Sequence, residues 1–367
     1  MKKLFLLLAS ILGGMLIGIG GVMVVRHFTG EPMPDVSRAL VNGAWLVAMM
    51  GVAFFVHIFA HEGGHLLCGL LSGYRFVSFR TGSITLVKTD GKYRLKRYKI
   101  AGTGGQCLMA PPTNVPLDKL PTMLYNAGGV IMNVLIATVA LVLWLRYDLK
   151  QPWDALAFAL MFLGYPMALL NGIPMRVGGI PNDGYNMLNL HRDPEATRGF
   201  AVQLLANEQS QRGVRMRDMP QEWFAMPSSM NYADALQTGL AVMRVSWLMD
   251  CERTDEALAL AREMWQHHDE MAMLIKWELQ GEFMYLNYVT GHLDEARFLA
   301  ADERFVRYTR AHAKVMSAKQ RWLMVMALLK DQHDQATHIA HTVEARRSQY
   351  VLQGEVTSDI DLMNQAI

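Results

Sequence analysis

His61, Glu62 and His65 spell H-E-G-G-H. On a helix, residues four apart share a face, so the two imidazoles can close on one metal ion. Zinc takes imidazole nitrogen readily, and a catalytic zinc site keeps one position open for water. Glu62, beside the first histidine, can take a proton from that water and later deliver it to a leaving amine. Two histidines leave such a site one protein ligand short. The next residues, LLCGLLSGYRF, hold neither histidine nor carboxylate, so the third ligand has to be remote. Asp183, in the stretch NGIPMRVGGIPNDGYN, is the candidate, because a carboxylate completes two imidazoles acceptably for zinc. The plainer reading of Asp183-Gly184 is a turn. His57, one turn before His61, either supports the site or is a core histidine with a backbone partner. Cys68 reads as a small apolar packing residue.

The motif ends an apolar run, and the chain holds several. Residues 4–25 carry no charge, and about 20 apolar residues suffice to cross a bilayer. Lys2 and Lys3 precede that run, so a signal peptide is its rival reading, but its length and the lack of a clear cleavage site favour a retained helix. Gly14 and Gly18 within it form a G-x-x-x-G pair that would admit a close helix neighbour. Further apolar runs cover roughly 44–71, 127–145 and 155–172, the last with Pro166 inside it. Two histidines and a glutamate in such a segment are costly unless they bind something.

The connecting loops sort by charge. Residues 73–120 hold nine Lys or Arg, whereas 26–43 and 146–154 hold two each. The positive-inside rule then predicts four spans with both termini cytoplasmic. That topology returns Asp183 to the face where HEGGH ends.

Between the second and third runs, residues 74–100 are rich in β-branched and aromatic types, with Asp90-Gly91 at a turn, which predicts strands and a hairpin. GTGGQC after it reads as a flexible stretch turning back toward the membrane. Beyond about residue 195 the character is soluble and helical. RTDEALALAREMW, HLDEARFLAADERF and HDQATHIAHTVEA align with Ala257, Ala296 and Ala336 at one position, a recurrence that predicts stacked helical hairpins. The array resembles a degenerate tetratricopeptide type. The fold expected is mainly α: a membrane-embedded helical domain over 1–195 with about four spans and a short β-hairpin, then a soluble helical repeat-like domain over 196–367.

Composition agrees with a membrane part joined to a soluble part: 51% hydrophobic and 19% charged residues, with a net charge of +2. That charge, without a basic stripe, excludes nucleic acid as a partner. Cys68, Cys107 and Cys251 lie too far apart for a disulfide framework or a paired-cysteine metal site.

An H-E-x-x-H on a transmembrane helix, followed much later by an Asn/Pro-rich stretch ending in Asp-Gly, resembles the site-2 protease family of intramembrane zinc metalloproteases. The likeness covers roughly residues 40–190. It implies His61, His65 and Asp183 as zinc ligands and Glu62 as general base. Asn171 to Pro174 resembles the family's Asn-Pro element, and the hairpin region resembles its membrane-reentrant hairpin. The family's A-G-P-x-x-N stretch has a counterpart in AGGVIMN, with Gly128, Gly129 and Asn133, but Val130 stands in place of the proline. The resemblance marks Asn133 and Asn171 as substrate-binding.

The activity expected is that of a zinc metalloendopeptidase of the cell membrane, cutting peptide bonds in or near transmembrane segments of a membrane protein or peptide. The C-terminal helices would recruit a protein partner. An alternative is a non-proteolytic scaffold that binds a protein or peptide through those helices. Such a scaffold would be free to lose one of His61, Glu62, His65 and Asp183, and this chain has all four. A third reading is zinc-dependent hydrolysis of a lipid-soluble substrate.

Overall fold

The computed structural model describes residues 35–367 apart from Asp90, residues 98–103 and Ser228. The apolar run 4–25, with its Gly14 and Gly18, lies outside the described residues. Among the described residues the chain is mainly helical, with a small antiparallel sheet and three helices long and apolar enough to cross a membrane.

Helix α1 spans Val36–Leu71 and is capped by Asp35, whose carboxylate accepts from the Ser37 amide. At 1.5 Å per residue it is about 54 Å long, well beyond a hydrocarbon layer of about 30 Å. Helix α2 spans Thr122–Arg146 and α3 spans Trp153–Gly172, continuing through Pro166. Each helix begins before the apolar run that predicted it, because polar and small residues extend the hydrogen-bonded ladder past the hydrophobic stretch. Large apolar side chains face outward, among them Phe54, Phe55 and Phe59 on α1, Leu135 and Val142 on α2, and Leu169 and Leu170 on α3. A belt of that size is unfavourable against water and is what a helix bundle offers to lipid.

The three helices meet through small residues. A Cβ at Gly64 would sit 2.0 Å from the Gly128 carbonyl oxygen, so α1 and α2 touch backbone to backbone there. Close approach through glycine is how membrane helices gain van der Waals contact without a hydrophobic drive. Here it draws the HEGGH turn against α2.

Four strands follow α1: β1 Arg75–Thr81, β2 Ile84–Thr89, β3 Lys92–Arg97 and β4 Gly105–Ala110, in the order β3-β2-β1-β4 with every neighbour antiparallel. The hairpin expected around Gly91 is present, with Thr89 paired to Lys92 and Gly91 at a φ of +76°. Of GTGGQC, expected to be flexible, Gly105, Gln106 and Cys107 instead open β4, and Gly102 and Thr103 lie outside the described residues. The strand's pairing with β1, Phe79 opposite Cys107 among others, and the burial of Cys107, Leu108, Met109 and Ala110 outweigh the weak strand preference of glycine.

After α3 come a two-stranded hairpin, β5 Arg176–Val177 with β6 Ile180–Pro181, and the short helix α4, Asp183–Asn189. Helix α5, Pro194–Gln211, is capped by Asp193, so the boundary expected at 195–196 falls in its first turn. It packs both ways. Phe200 and Leu204 join a cluster with Tyr74 and Tyr125, while Gly199 lies against the backbone of Leu236.

The remaining helices are α6 Ala235–Asp250, α7 Thr254–Trp265, α8 Met273–Val289, α9 Leu293–Ala300, α10 Glu303–His312, α11 Ser317–Leu328, α12 His333–Ala345 and α13 Gln353–Ala366. Ala257, Ala296 and Ala336 are each the fourth residue of their helix, and each is fully buried. The turns before them also match. Glu252, Gly291 and Asp331 all have positive φ, and the amide that follows each bonds five residues back, Arg253 to Leu248, His292 to Asn287 and Gln332 to Ala327. This 6→1 bond with a left-handed residue is the Schellman ending of a helix. The three hairpins α6–α7, α8–α9 and α11–α12 therefore share one turn geometry and one buried alanine.

Candidate metal centre

Helix α1 presents His61 and His65 one turn apart, with their Nε2 atoms 3.1 Å from each other. His65 Nδ1 lies 2.9 Å from the Tyr125 carbonyl oxygen on α2. A carbonyl only accepts, so Nδ1 donates and Nε2 of a neutral His65 carries the lone pair.

Asp183 is the first residue of α4, and its neighbour Asn182 fixes where that helix starts. The Asn182 amide donates to the Leu170 and Ile173 carbonyls at 2.8 Å each. Its oxygen accepts from the Met175 and Tyr185 amides, at 3.1 and 2.9 Å. One side chain thus ties the end of α3, the hairpin and the start of α4 together. The Asp183 Oδ2 atom then stands 3.1 Å from His61 Nε2 and 3.4 Å from His65 Nε2.

Those three atoms form a triangle with edges of 3.1, 3.1 and 3.4 Å. Donors about 2.0–2.1 Å from a tetrahedral zinc lie about 3.3–3.4 Å apart, so the set fits zinc. Asp183 Oδ2 is buried and makes no hydrogen bond of its own. An anionic oxygen facing an imidazole nitrogen calls for a metal ion or a proton between them. Among the described residues, His61, His65 and Asp183 are the group that satisfies metal-ligand spacing.

Glu62 stays outside this triangle and packs against β4. A Cβ at Gly105 would stand 2.6 Å from Glu62 Cγ and 2.7 Å from Oε1, so the absence of a side chain there leaves room for the carboxylate. Gly129 does the same for His61, where a Cβ would meet the imidazole at 2.4 Å.

The two asparagines have other partners. Asn133 is fully buried, and its amide lies between His57 Nδ1 at 3.1 Å and His61 Nδ1 at 3.2 Å. Asn171 donates to the Met167 carbonyl of its own helix at 2.9 Å. His57 is fully buried and has a backbone partner, the Leu160 carbonyl at 2.8 Å, and it is also joined to the histidine cluster through Asn133. Cys68 is buried as a free thiol.

The helical half contributes to the placement of Asp183. Arg176 in β5 donates to the Ala233 carbonyl at 3.1 Å, pairs with Asp234 at 3.3 Å and bonds the Tyr185 hydroxyl. At the hairpin tip, Gly179 has φ of +87° and lies so close to Ala272 that a Cβ would clash at 2.7 Å. The segment between α3 and Asp183 is therefore fastened to α6 and to the start of α8. Tyr125, Asn182, Gly105 and Arg176 all shape the site, and none forms part of the metal-binding motif. The one local signal was Asn182, an N-cap residue type directly before Asp-Gly. No protein-family model, curated protein or solved structure matches the chain.

Proposed function

We propose that this chain is an intramembrane zinc endopeptidase that cleaves peptide bonds in or near transmembrane segments of membrane-bound substrates. The observation that carries the reading is the convergence of His61 Nε2, His65 Nε2 and Asp183 Oδ2 at zinc-like spacing, with Glu62 adjacent, at the end of an apolar helix. Zinc held by the three residues supplies Lewis-acid polarisation of a water and of the scissile carbonyl. Glu62 does the proton work: its carboxylate accepts a proton from the attacking water and delivers it to the departing amine nitrogen. A helical substrate has to unwind first, since its backbone groups must stay paired in lipid. Strand β4, an outer strand of the sheet, runs past Glu62, and strand addition along the sheet edge would keep the unwound segment satisfied.

The test compares cleavage products in membranes carrying the wild-type chain or Glu62→Gln. The glutamine keeps the shape and removes the base, so zinc content stays at one ion per chain. Cleavage falls by about 10²–10⁴-fold, the range general-base removal gives. Equal product yields from the two chains would remove Glu62 from the chemistry and end the protease reading.

In this reading the chain crosses the membrane four times with both termini cytoplasmic, and the helical array recruits a partner from the cytoplasmic side. The nine basic residues in 73–120, against two in 146–154, set that orientation. A topology reporter fused after residue 150 is expected outside, and one after residue 100 inside. The opposite pair of results would invert the arrangement.

A further inference from the structure

His57, Asn133 and His61 form a hydrogen-bonded row across all three described apolar helices, and the row constrains which nitrogen of His61 faces the metal site. It begins at the Leu160 carbonyl on α3, which lies 2.8 Å from His57 Nε2. That oxygen accepts only, so His57 Nε2 donates. A neutral His57 is then left with a lone pair at Nδ1. The Asn133 amide stands 3.1 Å away with its oxygen toward that lone pair, which sets two acceptors against each other. A cationic His57 would relieve the clash, but the ring is fully buried and its two polar contacts are neutral. An unpaired buried charge is expensive.

A half-turn of the Asn133 amide removes the conflict. Its NH₂ group then donates to His57 Nδ1, and its oxygen faces His61 Nδ1, 3.2 Å away in the same contact. Amide oxygen and nitrogen occupy interchangeable positions, and the network decides between them. With oxygen at that end, His61 has to carry its proton on Nδ1, and its Nε2 lone pair points at Asp183 and His65. The opposite orientation would put the proton on Nε2, inside the triangle, where it would block ligation.

We infer that Asn133 is a positioning residue for the metal: its amide oxygen accepts from His61 Nδ1, locks that ring in the ligating tautomer, and is itself held by His57 and the Leu160 carbonyl. The inference rests on the zinc reading of the His61–His65–Asp183 cluster. Two glycines make the row fit. Gly129, one turn before Asn133 on α2, receives the His61 ring, and Gly164 on α3 receives His57, where a Cβ would meet the imidazole at 2.4 Å. His65 obtains the same proton placement from the Tyr125 carbonyl, so both ligand rings are set by oxygen acceptors on α2. Outer partners of this kind orient ligating histidines, and their loss costs about 10–100-fold in metal affinity.

The experiment measures zinc affinity by chelator competition on the purified full-length chain, with thermal unfolding as a check on folding. Asn133→Leu, close in size and without polar atoms, is expected to bind zinc about 10–100-fold more weakly than wild type. Asn133→Asp keeps an oxygen against His61 Nδ1, and the negative charge it sets beside His57 Nδ1 lets that ring carry a second proton in place of the lost amide donor; it is expected to stay within about threefold of wild type, a rescue that packing alone would not produce. A folded aspartate variant as weak as the leucine variant would overturn the orientation, as would wild-type affinity in Asn133→Leu. If either variant fails to fold, ¹⁵N-histidine spectra of the zinc-loaded wild type decide, with His61 identified by its loss in His61→Gln. A protonated Nδ1 and a metal-shifted Nε2 are expected, and a protonated Nε2 overturns the inference. A wild-type chain that binds no zinc defeats the metal reading itself, which sets that failure apart from one confined to Asn133.

Discussion

Asp183→Ala is expected to leave the purified chain with little or no zinc, while Glu62→Gln retains one ion per chain. The reasoning starts from the donor triangle. His61 and His65 sit on one helix turn and hold two corners by themselves. Two neutral imidazoles bind zinc weakly without a third donor, and the third corner is a single atom, Asp183 Oδ2. It also supplies the set's only negative charge, which matters most in a partly buried site where charge attraction is poorly screened. Alanine removes the charge and the ligand together. His65→Ala should behave the same way, because no other described histidine or carboxylate reaches the gap. Glu62 makes no edge of the triangle, so its amide analogue leaves the metal in place. Metal content of the four purified chains, measured after dialysis against a mild chelator, checks the set. Wild-type zinc in Asp183→Ala would strike Asp183 from the ligands and leave the reading of this centre without its third corner.

The candidate site was legible in the sequence to an uneven degree. His61 and His65 were legible because helix geometry alone places residues four apart on one face. Asp183 came from topology, as an apolar run returns the chain to the side where HEGGH ends. What held these residues was not legible. His65 is oriented by the backbone oxygen of Tyr125, and any residue at that position would offer the same carbonyl. Arg176 works through Ala233 and Asp234, some 60 positions away, a contact that exists only once both halves have folded. Asn133 was marked only by the resemblance that AGGVIMN carries, and its partners were not legible. Its amide lies between His57 and His61.

The fold shows the same division between local and tertiary causes. Recurring Ala257, Ala296 and Ala336 marked three hairpins because a small residue is needed wherever helices cross closely. The left-handed turns before them went unread, since two of the three use Glu252 and Asp331 in place of glycine. The last three residues of GTGGQC misled for the converse reason. Its glycines speak locally for a loop, whereas the neighbouring strand β1 and the apolar face of α1 decide in favour of a strand. The chain was expected to divide at 195–196 into a membrane-embedded and a soluble domain, and α5 and the Arg176 hairpin make direct contacts across that boundary.

Arg321→Met is expected to destabilise the helical half by about 3–5 kcal/mol, the cost of removing one partner from a buried charge group. Arg321 sits on α11 and is almost wholly buried. Its Nη2 donates to both Glu282 oxygens, at 2.9 and 2.8 Å, and its Nε donates to Asp359 at 2.8 Å. Its guanidinium also lies over the Tyr285 ring, 4.6 Å from the centroid. One cation thus joins α8, α11 and α13. Methionine fills the volume but leaves two buried carboxylates without their counter-charge. Burial already pushes the Glu282 carboxyl above its ordinary range, with Arg321 opposing that shift. Without Arg321 the rise is larger, and the folded chain binds protons that the unfolded chain releases. Stability then falls as pH rises, because the slope follows protons bound unfolded minus protons bound folded, which is negative here. The deficit should therefore widen as pH rises above the ordinary carboxylate range, which measurements at about pH 5 and about pH 8 compare. Adding Glu282→Gln and Asp359→Asn to Arg321→Met should recover most of the loss, since neutral groups no longer need the cation. Urea unfolding followed by tryptophan fluorescence reads all of these, Trp322 being fully buried beside the network. A single variant within about 1 kcal/mol of wild type at both pH values would show that Arg321 does not hold the three helices together.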